Sequence, residues 1–224
     1  ISRRSSAKDE FISNAAHQLR NPVAGVLALA EAVQNAPNPA AAKERSAELV
    51  EAAREASALT NKLLSFERAS GTDMRQSGEV LDFSALIQHV GNTYTAATGD
   101  QAASLLYDLP NDPVFVRGEP VMLHEAVLNL LTNATTHGGP DVTTINLTLK
   151  AKDEMAVLTV IDDGVGIPAD KRLAAISRFA QAGGGAGSGL GLPIALRVVE
   201  NHGGQLSIMD HIGGAAIRVT LPLT

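Results

Sequence analysis

Phe11-Ile12-Ser13-Asn14-Ala15-Ala16-His17-Gln18-Leu19-Arg20-Asn21-Pro22 places one histidine on a helical pattern just ahead of a proline. At about 100° per residue, Phe11, Ala15, Leu19, Val23, Val26, Ala30 and Val33 gather into one apolar stripe, and His17 falls opposite it. A core histidine would sit within the stripe, so His17 reads as a solvent-facing imidazole. Its plain alternative is an ordinary surface histidine. A neutral imidazole nitrogen is a competent nucleophile near neutral pH, where a hydroxyl would need a strong base. Pro22 removes a backbone N–H and crowds the preceding turn, which bends or loosens a helix just past the histidine.

The chain has 224 residues, enough for two modest domains or one large one. It has no cysteine, which rules out disulfides and thiolate metal sites and is compatible with a cytoplasmic setting. A net charge of −6 argues against a nucleic-acid partner, whose affinity would come from a concentrated basic face. No apolar run reaches the roughly 20 residues that span a bilayer. Val23 to Val33, the best candidate, is broken by Gly25 and Glu31, so no membrane contact is expected of this part. A start at Ile rather than Met suggests a piece of a longer chain with a sensor region upstream, through which the full-length protein would be anchored in a membrane.

Residues 7 to 35 read as one amphipathic helix, with Asn35-Ala36-Pro37-Asn38-Pro39 as stop and turn. A second helix is expected from about Ala40 to Ala69, with Leu49, Ala52, Ala56, Leu59, Leu63 and Phe66 as its stripe and Glu44, Arg45, Glu48, Glu51, Arg54 and Glu55 on the wet side. A hairpin with one stripe per helix buries both poorly alone, but two copies make a four-helix bundle, so a homodimer is expected. The alternative is packing on the second domain of its own chain. Ser70 to Gly78 is polar and rich in breakers, a linker dividing a domain at 1–71 from one at 78–224. Beyond it strands alternate with helices: strand Glu79–Phe83, helix Ser84–Thr98, strands Ser104–Asp108 and Val114–Arg117, helix Glu119–His137, strands Val142–Lys152 and Met155–Ile161. A glycine-rich connection, a helix Leu190–Asn201 and a hairpin of Gly204–Asp210 with Ala215–Leu221 close the chain. The expected fold is therefore an α-helical hairpin followed by an α+β sandwich with a mixed sheet, helices covering one face.

The first stretch resembles the H-box of bacterial sensor histidine kinases, whose commonest form is His-Glu-Leu-Arg-Thr-Pro; Gln18 and Asn21 depart from it. Four later segments resemble the ATP-binding domain of that family in the right order. Leu123 to Ala134 is similar to the N-box, with Asn129 and Asn133 on one helical face. Asp162-Asp163-Gly164-Val165-Gly166-Ile167 resembles the G1 box, with Asp163 where Asn is commoner. Arg178-Phe179 resembles the F-box, and Gly187-Ser188-Gly189-Leu190-Gly191-Leu192 the G2 box, opening a helix whose bare N–H groups suit phosphate.

The resemblance implies His17 as phosphoacceptor, Gln18 hydrogen-bonding its ring, and Asn21 orienting the water that hydrolyses a partner's phosphoaspartate. It implies Asn133 as the Mg2+ ligand beside ATP, with Asn129 and Glu125 in support, because amide and carboxylate oxygens suit that ion. Asp162 would accept from the adenine amino group, and the glycines would let backbone approach the ring. The reaction implied is autophosphorylation of His17 by ATP and transfer to an aspartate of a response-regulator receiver domain. Thr136 and Gln181 stand where basic side chains are common, leaving fewer fixed cations at the triphosphate; Arg178 or Lys171 would have to compensate. Two alternatives stay open: another ATPase of the gyrase, chaperone or mismatch-repair type, and an ATP-binding, phosphatase-biased signalling module with weak autokinase activity.

Overall fold

The computed structural model describes residues 20, 22–69, 78–99, 103–176 and 190–224, and gives only the backbone for part of the second helix. The chain separates after Ser65 into two units, each dense in internal contacts. In the first, α1 covers residues 22–34. It stops where Asn35 turns both its backbone N–H and its side-chain amide onto Glu31 O, at 3.0 and 2.9 Å. Helix α2, Pro39–Ala69, restarts the chain. The Asn38 side chain accepts from Ala41 N–H at 2.9 Å, and Pro39 takes the first helical position, where a missing N–H costs nothing. Arg45 reaches across the hairpin to donate to Ala32 O at 2.7 Å.

The stripes are only half covered. Val26, Ala30, Val33, Leu49, Ala52 and Ala56 are half-buried, while Val23 and Leu27 are 57% and 61% exposed. No described side chain of α1 or α2 is fully buried. Residues 1–19, with the first half of the expected helix, lie outside the described residues.

The second unit holds a five-stranded sheet ordered β2-β4-β5-β7-β6 and a separate ribbon of β1 with β3. The strands are β1 Glu79–Asp82, β2 Ser104–Asp108, β3 Phe115–Gly118, β4 Thr144–Lys152, β5 Met155–Asp162, β6 Gln205–Met209 and β7 Ala216–Pro222. Only β2–β4 is parallel, so the sheet is mixed as expected. Strands β4 and β5 alternate buried and half-buried residues, which is how a sheet with one packed face reads. That face lies under α3 Phe83–Thr98, α4 Pro120–His137 and α6 Gly191–Asn201. Its core includes Phe83, Ile87, Leu123, Leu130, Ile145, Leu147, Leu158 and Ile194.

Several boundaries differ from the expectation for local reasons. Phe83 begins α3 rather than ending β1, because Asp82 caps the helix by accepting from Ser84 N–H at 2.9 Å. Strand β3 runs one residue later than Val114–Arg117, held by its register against β1. Strand β4 starts at Thr144 instead of Val142, since the N–H groups of Thr143 and Thr144 go to Asp163. Strand β5 gains Asp162, paired with Ile145. A short helix, α5 Ala169–Ile176, occupies part of what reads as pure connection; its eight residues make only about two turns, too short a window for a helical period to stand out, and none of them is buried. No helix among the described residues is long and apolar enough to cross a membrane.

Candidate nucleotide site

Three segments of the second unit converge: α4, the turn after β5, and the start of α6. Asp162 ends β5 at only 5% exposure. Its Oδ1 accepts from Gly164 N–H at 3.0 Å and from Ala215 N–H at 3.1 Å, and its own N–H donates to Ala215 O at 3.0 Å. The carboxylate is thereby fixed through one oxygen. Among the described residues nothing donates to Oδ2, which is left for a ligand.

Glycines bring the surrounding backbone this close. A Cβ on Gly164 would stand 2.3 Å from Gly138 O, the carbonyl that also receives Val165 N–H at 2.8 Å. Since Gly138 N–H closes α4 on Ala134 O at 2.8 Å, the turn after β5 is stitched to the end of the asparagine-bearing helix. Gly214, absent from the sequence expectation, matters equally: its φ is +144°, and a Cβ would fall 1.7 Å from Asp162 O. The Gly213-Gly214 pair in the closing hairpin was the available signal.

On the other side, Gly191 at the head of α6 lies against Asn129, where an added Cβ would be 3.4 Å from Oδ1. Asn129 is 5% exposed, and its Nδ2 is buried with no hydrogen-bond partner among the described residues. An unsatisfied buried amide is costly and calls for a partner that the described residues do not supply. Asn133 follows one turn later, half-buried, and Glu125 precedes by one turn, also half-buried. Among the described residues no three His, Asp or Glu cluster as an all-protein metal cage. The oxygens present suit instead a magnesium ion that brings most of its ligands with it, as triphosphate and water.

Leu190 and Leu192 are buried, so their side chains anchor α6 and only their backbone is free to meet a ligand. Ile167 is half-buried, and its carbonyl accepts from Arg172 Nε at 3.1 Å. Arg172 also pairs with Asp210 at the tip of the closing hairpin, tying α5 to that hairpin. Asp163 turns away to bind Thr143 and Thr144 through both their N–H groups and both hydroxyls, the Thr143 hydroxyl at 2.5 Å. These donors, that hydroxyl first, hold its carboxyl far below the usual carboxylate range. Thr136 and Lys171 are exposed. His17, Gln18, Asn21, Arg178, Phe179, Gln181, Gly187, Ser188 and Gly189 lie outside the described residues.

Two family models match the chain. Residues 118–224 match the histidine kinase-, DNA gyrase B- and HSP90-like ATPase family, and residues 7–72 match the His Kinase A phospho-acceptor domain. The solved mycobacterial sensor histidine kinase MprB is 30% identical, with 97% of its chain covered by 65% of this one and a TM-score of 0.55. This chain is a sensor histidine kinase core.

The kinase core is also 33% identical to the probable sensor histidine kinase TcrY of Mycobacterium tuberculosis and to TrcS of the same organism, over 96% of its length in each case. It spans slightly under half of those relatives, 46% and 43%. The histidine kinase ThkA, solved in complex with a response regulator, shares the fold at 18% identity and a TM-score of 0.78, covering 99% of this chain and 63% of that one. The phosphoacceptor-first order of the two matched domains sets this chain apart from the gyrase and chaperone branches of the ATPase family.

Proposed function

We propose that this chain phosphorylates its own His17 with ATP and passes the phosphoryl group to an aspartate on a response-regulator receiver domain. The observation that carries this is the pairing, in one chain, of a phospho-acceptor domain with a cradle in which Asp162 and Asn129 each have one polar atom without a partner among the described residues. In this reading Asp162 Oδ2 accepts from the adenine amino group while Gly164 and Ala215 hold the carboxylate still. The N–H groups opening α6 and the Asn129 amide meet the phosphates. Asn133, with Glu125 in support, holds Mg2+, which neutralises charge building on the triphosphate.

One imidazole nitrogen of His17 attacks the γ-phosphorus. The bond from that phosphorus to the β–γ bridging oxygen breaks, ADP leaves with the electron pair, and the ring gives up its N–H proton. Gln18 orients the ring by accepting that N–H but cannot take the proton, which passes to water or a nucleotide oxygen. Asn21 serves the reverse traffic, positioning water against a phosphoaspartate.

We place the domain boundaries at residues 1–71 and 78–224, and we read the half-covered stripes of α1 and α2, with Val23 and Leu27 out in solvent, as the seam of a homodimeric four-helix bundle. The reaction draws on ATP, so the chain works on the cytoplasmic side. One observation favours the phosphatase-biased reading: Thr136 is exposed and uncharged at the end of α4, where a cation would help phosphoryl transfer out of ATP.

The test is incubation of the purified chain with γ-labelled ATP and measurement of acid-labile label. His17→Ala is expected to abolish the label and leave nucleotide affinity unchanged. Acid-labile label persisting in that variant refutes His17 as acceptor, while binding without label in the wild type selects the phosphatase-biased reading.

A further inference from the structure

The two helices that carry the phosphate-facing groups are joined at their far ends by one side chain. Helix α6 begins at Gly191 beside Asn129 and ends at Asn201, with His202 as its cap. Helix α4 carries Asn129 and Asn133 and is capped at its start by Glu119, whose carboxylate accepts from Met122 N–H at 2.7 Å. The helices run antiparallel, so His202 meets the head of α4 while Gly191 meets its middle. His202 is 1% exposed. Its Nε2 accepts from Glu119 N–H at 3.0 Å, and its Nδ1 lies 2.7 Å from Val198 O.

Those partners fix the tautomer. Nε2 faces a donor and must be bare; Nδ1 faces a carbonyl and must carry the proton. The neutral ring is thus a two-ended connector, bonded to α6 through one nitrogen and to the cap of α4 through the other. Gly118, just before that cap, leaves the room: a Cβ there would come within 2.4 Å of the imidazole Cδ2. A residue buried merely for packing would need neither the cleared space nor two aligned partners from opposite helices.

We propose that His202 is a positioning residue of the nucleotide site, setting the placement of α6 on α4 and so of Gly191 against Asn129 without touching nucleotide. The proposal rests on the nucleotide reading of that site. It also makes the site acid-sensitive. A protonated ring would present Nε2–H to Glu119 N–H, donor against donor, and the connector would open. Burial disfavours the charged ring; the Val198 carbonyl and the Glu119 carboxylate favour it, and burial prevails.

Two substitutions separate positioning from bulk stability, since each keeps one of the two bonds. His202→Gln sets a carbonyl oxygen where Nε2 accepts from Glu119 and gives up the Val198 bond. His202→Asn sets an amide N–H where Nδ1 donates and cannot reach Glu119. Both lose one buried hydrogen bond, and comparable drops in melting temperature are expected.

Nucleotide affinity, read by titration with a fluorescent ATP analogue, should stay within twofold in Gln and weaken roughly tenfold in Asn, a usual size for coupling through a packed element. In nucleotide-free protein, the Gly191 amide resonance and the Asn129 side-chain amide should shift in Asn alone, and Glu119 N–H should lose its hydrogen-exchange protection there. Wild-type affinity should fall on acidification more steeply than that of Gln, the titration of the nucleotide itself being common to both.

Equal affinities and unmoved Gly191 and Asn129 resonances in two folded variants would overturn the proposal. Failure of the wild type to bind any nucleotide would overturn the reading beneath it, and the nucleotide-free resonances would still decide whether His202 places α6.

Discussion

Asp162→Asn is the sharpest probe of the nucleotide site, because it alters one oxygen and leaves the scaffold in place. The amide carbonyl can stand where Oδ1 does and keep both bonds, from Gly164 N–H at 3.0 Å and Ala215 N–H at 3.1 Å. The NH2 group then replaces Oδ2, and a donor meets the adenine amino donor. A hydrogen bond to a charged acceptor contributes about 1.5–3 kcal/mol. At roughly 1.4 kcal/mol per tenfold, losing it weakens ATP binding by about 10- to 150-fold.

The fold should notice less. Two bonds turn from charged to neutral acceptors at a cost of about 1 kcal/mol each, and at roughly 2–4 °C per kcal/mol for a unit of this size the melting temperature falls by roughly 4–8 °C. Asp162→Ala would be the poorer experiment, since it strands two N–H groups in a buried turn. The assay is calorimetric titration with ATP and with inosine triphosphate, which lacks the amino group. The wild type should prefer ATP and the Asn variant should not. A variant that binds ATP as tightly as wild type, with the preference intact, refutes the assignment of Oδ2 to the base.

Asn133→Ala should remove the magnesium-dependent part of ATP affinity while the hairpin still assembles, measured by calorimetry with and without Mg2+ and by light scattering; unchanged magnesium dependence would disprove its role. Gln18→Glu restores a proton acceptor beside His17 and should speed autophosphorylation, whereas Gln18→Leu removes the accepting carbonyl and should slow it, general-base help being worth about 10²-fold or more; a Leu variant as fast as wild type shows that residue 18 does not contact the ring. For pH, His202 and His124 both sit below the ordinary histidine value of 6.5, by burial first in each case. The unfolded chain therefore binds more protons than the folded one as pH falls through that value, and stability drops with it. Melting temperature should decline from pH 7 to pH 5, less steeply in His202→Gln; a flat profile contradicts the neutral-ring assignment. Asp163 acts in the same direction lower down, its depressed carboxyl adding stability that is lost as pH falls below the ordinary value of 3.8.

Much of the candidate site was legible because the segments that form it are local. The Asp162 turn and the Asn129–Asn133 pair are each recognisable within a few residues, since a strand end, a helical repeat and glycine spacing are properties of short segments. The sheet strands were readable for the same reason, their alternation being a period-two signal. What escaped was non-local or silent. Helix α5 spans only eight residues, too few turns for a helical period to be read. Gly214 looked like one more turn glycine, and only the fold of the closing hairpin puts it against Asp162 O.

The sequence by itself determined the order of elements apart from α5, the candidate acceptor segment of His17 and Pro22, and the identities of the groups suited to nucleotide. Tertiary structure alone decided which of those groups are used up. Asp162 spends one oxygen on Ala215, 53 residues away, and among the described residues the other has no donor, while Asp163 next to it is wholly engaged by Thr143 and Thr144. His202 is an unremarkable residue before a glycine pair until the fold brings it to Glu119, 83 residues earlier. Hydrogen-bond satisfaction in a buried site depends on partners distant in the chain, and no local pattern encodes that.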